Sequence, residues 1–148
     1  MMRPRNLPFV VLFCFALAAP ALHAADAGRI KISSGAVHIE RAGGRLAGAV
    51  DTAVQPGDTV ITGANGSVGI TFIDDSRVSV GPNSVFSINT YNYNQTTQGG
   101  TFDSILKRGT LGVVSGRMTK QSPEAVKVRT PTMVLGVRGT RFVVYAGE

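Results

Sequence analysis

The amino-acid sequence predicts an all-β fold, a single compact β-sandwich or β-roll of short antiparallel strands joined by tight turns. From Arg29 onward, short segments of alternating apolar and polar residues are interrupted by Gly, Asn, Asp or Pro about every eight to twelve residues. No segment has a convincing helical period. The C-terminal segment 126–145 is rich in β-branched and aromatic residues around turn points at 130–131 and 138–139, which favours strands over helix.

The segments 68–72 and 77–80 predict the clearest hairpin, because apolar residues alternate strictly in both. A three-residue loop between them pairs Ile70 with Val78 and places the apolar residues of both strands on one face. A two-residue loop would place them on opposite faces. The last residue of the longer loop, Asp75, is then expected in the left-handed region of backbone space.

Neighbouring turns extend this pattern. A loop at 81–83 keeps Phe86 and Ile88 on the core face of the hairpin, and it predicts a three-stranded meander over 67–90. Upstream, the segment 55–58 contains the Pro-Gly pair of a type II turn.

The remaining strands and connections follow from the same signals. The polar, low-complexity segment 91–100 is expected to be an exposed loop. An opening pair of strands is expected at 29–32 and 36–41, followed by a turn at 43–44. Further strands are expected at 59–62, 102–106 and 110–114, with turns at 63–66 and 107–109.

The N-terminal segment has the composition of a signal peptide. Arg3 and Arg5 supply positive charge, and the apolar segment 9–19 is too short to span a bilayer as a helix. Small residues follow as far as Ala24, after which cleavage is expected. Cys14 lacks the small preceding residue that lipidation requires, so a lipoprotein is not expected.

This organisation predicts three segments. Residues 1–24 are expected to be the signal peptide, 25–52 the N-terminal strands that lead into the domain, and 53–148 the domain itself. The mature protein is then expected to be exported, soluble and not membrane-spanning, because no second long apolar segment follows.

Composition narrows the function classes. Without Arg3 and Arg5, the 15 basic residues become 13 against 9 acidic ones, a net charge of +4. These basic residues are dispersed, whereas nucleic-acid binding needs a concentrated basic face, so no nucleic-acid partner is predicted. Cys14 is the only cysteine, and disulfides therefore do not stabilise the mature chain.

Catalytic and metal-binding patterns are missing from the mature sequence. His38 is its only histidine, and without cysteine it supports neither a zinc site nor a Cys–His pair. The Gly-x-Ser-x-Gly motif of hydrolases is absent. Asp74 and Asp75 adjoin at a hairpin tip, where aspartates form turns more often than an acid–base pair. We therefore predict no enzyme activity and no cofactor or metal site.

Three motifs follow one another in the chain. The first is Gly57-Asp58-Thr59-Val60-Ile61-Thr62-Gly63, the second covers 68–84, and the third combines Thr130-Pro131 with 137–144. Together they resemble the FecR-type periplasmic domain, the sensing and regulatory domain of iron-dicitrate transport regulators, over residues 53–145. Where that family usually reads Asp-Gly-Ser at the hairpin, this chain has aspartate in the place of glycine. The matching positions are Gly57, Asp58, Asp74, Ser76, Gly81, Asn83, Ser84, Thr130, Pro131, Arg138, Gly139 and Thr140.

The resemblance implies a non-enzymatic, periplasmic protein of a Gram-negative bacterium, which binds an envelope protein and modulates a signal. Full regulators of this kind carry a sigma-factor-binding segment and a transmembrane helix, whereas the signal peptide here predicts an isolated exported domain. A second interpretation stays open, a structural or accessory envelope protein that binds glycan or a surface assembly.

Candidate partner contacts are Tyr91, Tyr93, Arg138 and Arg141. Tyrosine combines a large contact area with a polar tip, which suits a protein or glycan partner. The alternative for the two tyrosines is that they cover the edge of the domain.

Overall fold

The computed structural model describes residues 2, 19–20, 24–137 and 141–147, and this part of the chain contains twelve strands and one short helix. The all-β prediction is confirmed. In chain order the elements are β1 (Gly28–Ser34), β2 (Val37–Arg41), β3 (Gly44–Ala47), β4 (Ala53–Val54), β5 (Thr59–Thr62), β6 (Ser67–Phe72), β7 (Arg77–Val80), β8 (Val85–Tyr93), β9 (Gly100–Val114), α1 (Arg117–Gln121), β10 (Val126–Arg129), β11 (Val134–Gly136) and β12 (Arg141–Ala146).

The predicted signal peptide lies almost entirely outside the described residues. Among the residues that are described, no helix is long and apolar enough to cross a membrane.

The strands form one curled, mainly antiparallel half-barrel whose two halves share β9. In the first half the strand order is β4-β1-β6-β7-β9-β12, and in the second half it is β3-β2-β5-β8-β9-β10-β11. Residues 100–108 of β9 pair with β8, and residues 109–114 pair with β12. Of the strand pairs in the described part of the chain, only β9 and β10 are parallel.

Gly109 lies where β9 passes from one half to the other, and its φ is +97°. A Cβ here would lie 2.5 Å from Cβ and 2.6 Å from Cα of Ser84. Ser84 is fully buried at this corner, and its hydroxyl accepts a hydrogen bond of 3.0 Å from the N–H of Thr110. Glycine is therefore required by both the backbone conformation and the available space.

The inward side chains of both halves form one hydrophobic core. In β6 and β7 every second residue is buried, as half-buried strands require. Phe86 and Leu106 extend the core into the second half. At one end the rings of Phe72, Phe102 and Tyr91 pack with centroid separations of 4.6 to 5.2 Å.

Two turn predictions are confirmed. In the β6–β7 hairpin Ile70 lies opposite Val78, and Asp75 takes the left-handed conformation with φ of +65°. In the turn at 55–58, Gly57 has φ of +92°, as the third position of a type II turn requires.

The predicted meander over 67–90 is wrong. β7 pairs with β6 and β9, whereas β8 pairs with β5 and β9. The chain crosses between the two halves at 81–84. Phe86 and Ile88 are nevertheless buried as predicted, because alternation determines the face of a residue but not the neighbour of its strand.

Other predicted boundaries also change. β1 and β2 do not pair with each other, since β1 lies beside β6 and β2 beside β5. β9 is continuous through the predicted turn at 107–109, because Gly109 bends the strand without ending it. β8 extends to Tyr93, which shortens the predicted loop to 94–99. The helix α1 was not predicted, because five residues are too few to show a helical period.

Candidate interaction surface

Asp58 is a fully buried carboxylate held by Arg41. Nε and Nη2 of Arg41 donate to its two oxygens at 2.8 and 2.7 Å, and the N–H of Gln55 donates to Oδ2 at 2.8 Å. The hydrogen bond to Asp58 raises the pKa of Arg41, although burial acts in the opposite direction. This bidentate pair connects β2 to the turn before β5 and compensates a buried charge.

Asp74 is also fully buried, in the middle of the β6–β7 loop. Its Oδ1 accepts hydrogen bonds from the hydroxyls of Ser76 at 2.5 Å and Tyr91 at 3.0 Å. Its C=O accepts from the N–H of Arg117 at 2.8 Å. The Asp75 carboxylate instead forms an exposed ion pair of 2.6 Å with the Arg117 side chain. The loop is therefore attached to β8 and to the start of α1.

Tyr91 belongs to this buried cluster. Its hydroxyl also accepts the N–H of Asp74 at 3.1 Å, while its ring packs against Phe72 and Phe102. Burial, followed by the negative charge of Asp74, raises the pKa of Tyr91. The hydroxyl is consequently a stable donor to Asp74 at neutral pH.

Tyr93 lies two residues further along β8 and is half-buried. Its hydroxyl and Oδ2 of Asp74 are buried atoms with no hydrogen-bond partner among the described residues. The suggested role of Tyr91 and Tyr93 as partner contacts stays a prediction.

The motif residues at 81–84 build the crossing between the two halves. The hydroxyl of Thr62 donates to the C=O of Gly81 at 2.6 Å and accepts the N–H of Ser84 at 3.0 Å. Asn83 is left-handed, with φ of +51°, a conformation that asparagine tolerates well. These residues position the start of β8.

Thr130 and Pro131 form the turn between β10 and β11. The Thr130 hydroxyl accepts the N–H of Met133 at 3.2 Å, and the Thr130 N–H donates to the C=O of Met133 at 2.8 Å. The remaining motif residues, Arg138, Gly139 and Thr140, lie outside the described residues. Arg141 opens β12 and is exposed.

The described motif residues thus build turns and crossings, and they do not converge on one pocket. The contacts of these motif residues with Arg41, Thr62 and Tyr91 were not predicted, because each of the three lies far away in the sequence. Residue type is the only signal that could have suggested them, since a buried carboxylate needs donors.

The outer face of the first half carries a mainly apolar depression of about 340 Å³. It follows one row of neighbouring residues across five strands, Ile32, Gly69, Ser79, Gly112 and Val143. The three central residues are small and form the floor. Ile32 and Val143 are 67% and 70% exposed and form the two end walls.

The neighbouring row on the same face is basic. It consists of Arg29, Thr71, Arg77, Val114 and Arg141. The three arginines occupy alternate strands and are therefore spaced about 10 Å apart. Arg77 and Arg141 form no ion pair with a described residue, whereas Arg29 lies 3.8 Å from Asp26 at an exposed position.

A second concave region, of about 720 Å³, adjoins the end of β12. Its lining includes Lys107, Arg108, Tyr145 and the turn at 130–132. Tyr145 therefore lies between this region and the depression.

The described residues offer no cluster of three or more His, Cys, Asp or Glu side chains that could hold a metal ion. His38 lies in β2 with Nδ1 3.1 Å from Nη2 of Arg45. Asp74 is buried and Asp75 is exposed, so the two adjacent carboxylates do not face a common space.

The domain is all-β, its described motif residues build turns and crossings, and its outer face combines a small-residue depression with arginines. The family model described as FecR protein matches residues 58–148. The chain therefore belongs to the FecR family, a regulatory and non-enzymatic family, as the motifs indicated. No curated protein and no solved structure matches the chain.

Proposed function

We propose that this protein is an exported, periplasmic binding module that contacts a protein of the bacterial cell envelope and modulates a signal. Membership of the FecR family supports the regulatory role. The composition of residues 1–24 supports export.

The observation that carries this proposal is the edge of the sheet at β12. Among the described strands, β12 pairs with β9 alone. Its outward side chains include Val143 and Tyr145, which are 70% and 74% exposed. A free edge offers unpaired N–H and C=O groups to a partner strand, and exposed apolar side chains beside it add contact area.

The glycan-binding alternative has less support. It would favour a concave face lined by exposed tyrosines, which stack on sugar rings. Of the three tyrosines, Tyr145 alone is exposed in a concave region. Tyr91 packs into the core and donates to Asp74, and Tyr93 is half-buried. The free edge of β12 among the described strands favours contact with a protein over contact with a glycan.

Photo-cross-linking in the native bacterium tests the proposal. A photoreactive phenylalanine replaces Tyr145 in the full chain, and the same residue at the exposed Lys120 on α1 serves as the control. We expect the probe at Tyr145 to capture one envelope protein that the control does not capture. Capture of glycan alone, or equal yields from both positions, would refute protein binding at β12.

Export is tested separately by mass spectrometry of the native protein. The N-terminus should lie near Ala25. An intact Met1 or a lipid on Cys14 would show that the protein is not a cleaved, soluble export product.

A further inference from the structure

The floor of the depression contains a glycine that the fold does not require. A Cβ added at Gly112 would make only ordinary contacts, 3.8 Å from Cβ and 3.9 Å from the C=O of Ser79. Gly112 is also not among the residues with positive φ. Glycine weakens a strand interior, and it often marks a place where another molecule approaches the sheet closely. Because Gly112 has no side chain, the space above β9 stays open at this position.

The charged side chains of the two rows are all arginines, of which Arg29, at one end, lies 3.8 Å from Asp26. Arg77 and Arg141 project from the adjoining row without a described ion-pair partner. The outward residues of the two rows carry no carboxylate, and neither do the neighbouring residues Thr110 and Tyr145. The basic row lies two residues along the strands from the depression, a distance of about 7 Å. A complementary partner therefore presents an apolar group with acidic groups at about that distance from it.

Two other occupants fit this surface less well. An anionic membrane favours apolar side chains that protrude together, whereas the floor between Ile32 and Val143 is recessed. A glycan needs many side-chain hydrogen-bonding groups, whereas the depression is mainly apolar and its lining supplies hydroxyls from Ser67, Ser79 and Thr110 but no charged or amide side chain. A protruding apolar side chain of a protein matches a recessed apolar floor.

We propose that this outer face, centred on Gly69, Ser79 and Gly112, is the docking surface for an acidic segment of a protein partner. An apolar side chain of that segment fills the depression, and its carboxylates bind Arg77 and Arg141. This assignment rests on the proposed function and adds the surface and the chemistry of its partner.

The first test fills the depression without disturbing the fold. Gly112→Leu places a side chain over the floor, and Gly136→Leu is the matched control, because an added Cβ at Gly136 meets nothing within 4 Å. We expect both variants to keep the wild-type melting temperature or to exceed it. Cross-linking from Tyr145 should fall on the order of tenfold in Gly112→Leu and stay unchanged in the control.

The second test examines charge with a defined probe. A synthetic peptide of the cross-linked partner segment is titrated onto the wild-type protein and onto Arg77→Glu/Arg141→Glu, with Lys127→Glu as the control for an exposed basic residue. We expect on the order of tenfold weaker binding for the double variant, and a wild-type affinity that falls with added salt.

The outcomes separate the two proposals. If the probe at Tyr145 captures no protein in the otherwise wild-type chain, the proposed function itself is refuted. Cross-linking that persists equally in Gly112→Leu and Gly136→Leu refutes only the docking surface. A partner segment without acidic residues refutes the assigned chemistry. Arginine-dependent binding to phosphatidylglycerol vesicles, in place of the peptide, identifies a membrane surface and overturns the assignment to protein.

Discussion

The Tyr91 hydroxyl lies 3.0 Å from Oδ1 of Asp74, although the two residues are separated by 17 positions and belong to different halves of the sheet. Together with the Ser76 hydroxyl it stabilises a carboxylate that is fully shielded from water. This contact closes one end of the half-barrel, where the loop between β6 and β7 meets β8.

Replacement of Tyr91 by phenylalanine keeps the packed ring and removes this hydrogen bond. We expect the free energy of unfolding to fall by about 2 kcal/mol, because a buried charge loses a donor. Urea denaturation measures the loss. Tyr93→Phe is the matched control, because its hydroxyl has no described partner and its removal should cost little or even stabilise. Equal losses in both variants would contradict the role assigned to Asp74.

The same residue predicts a dependence on pH. The pKa of Tyr91 is raised in the folded state above its ordinary value of 10.0. A group whose pKa is higher in the folded state than in the unfolded state stabilises the folded protein fully at pH values below the unfolded-state pKa. This stabilisation decreases as the pH rises above the unfolded-state pKa. The difference in unfolding free energy between wild type and Tyr91→Phe should therefore be constant from about pH 8 to 9 and shrink above about pH 10. A difference that does not change up to pH 11 would show that the pKa is not raised.

The ion pair between Arg41 and Asp58 should contribute more than an exposed one. Arg41→Met leaves the Asp58 carboxylate buried with the N–H of Gln55 as its remaining described donor. We expect a loss of about 3 kcal/mol, at the low end for a broken buried pair, because the Arg41 side chain is 30% exposed. In the control Arg129→Met, the broken pair with Asp103 is more exposed than the pair with Asp58, and its loss should cost about 1 kcal/mol. Thermal melts of the two variants distinguish these values, and a reversed ranking would refute the argument.

The bend in β9 predicts a steric effect that can be separated from backbone strain. Gly109→Ala combines an unfavourable φ with overlap against Ser84, and we expect a loss of about 3 kcal/mol. Gly57→Ala has a similar φ, but an added Cβ meets nothing within 4 Å, so its loss should be about 1 kcal/mol. Chemical denaturation of both variants tests the difference, which disappears if strain alone matters.

At the tip of the β6–β7 hairpin, a substitution by glycine is expected to preserve or raise stability. Asp75 has φ of +65°, and its ion pair with Arg117 is exposed. Asp75→Gly relieves about 1 kcal/mol of backbone strain and loses a weak ion pair, so the variant should be neutral or more stable. Asp75→Val should be destabilised, because a β-branched residue is poorly tolerated there. If melting temperatures rank Val above Gly, the loop conformation is wrong.

Local patterns predicted local geometry well. The alternation around Ile70 and Val78 predicted their pairing, and the Pro-Gly pair predicted the turn at Gly57, because both depend on residues close in sequence. The burial of Phe86 was also predicted. The strand beside it was not, since alternation is equally consistent with several neighbours.

Long-range partners could not be predicted in this way. Arg41 lies 17 residues from Asp58, and nothing in its surroundings marks it as the partner of a buried carboxylate. Tyr91 was predicted in a loop because asparagine and threonine dominate its neighbourhood, whereas packing of its ring against Phe72 extends β8. The depression was not predicted either, because its residues come from five strands.

The sharing of β9 by both halves has a consequence for the kinetics of folding. The hairpins β2–β3 and β6–β7 can form from neighbouring segments, but the pairing of β7 with β9 must wait for residues 111–114. Topologies dominated by such non-local pairing fold on the order of milliseconds to seconds. During that interval the incomplete sheet exposes strand edges that pair between molecules as readily as within one. Refolding is thus a competition between closure and aggregation, and dilution favours the native sheet.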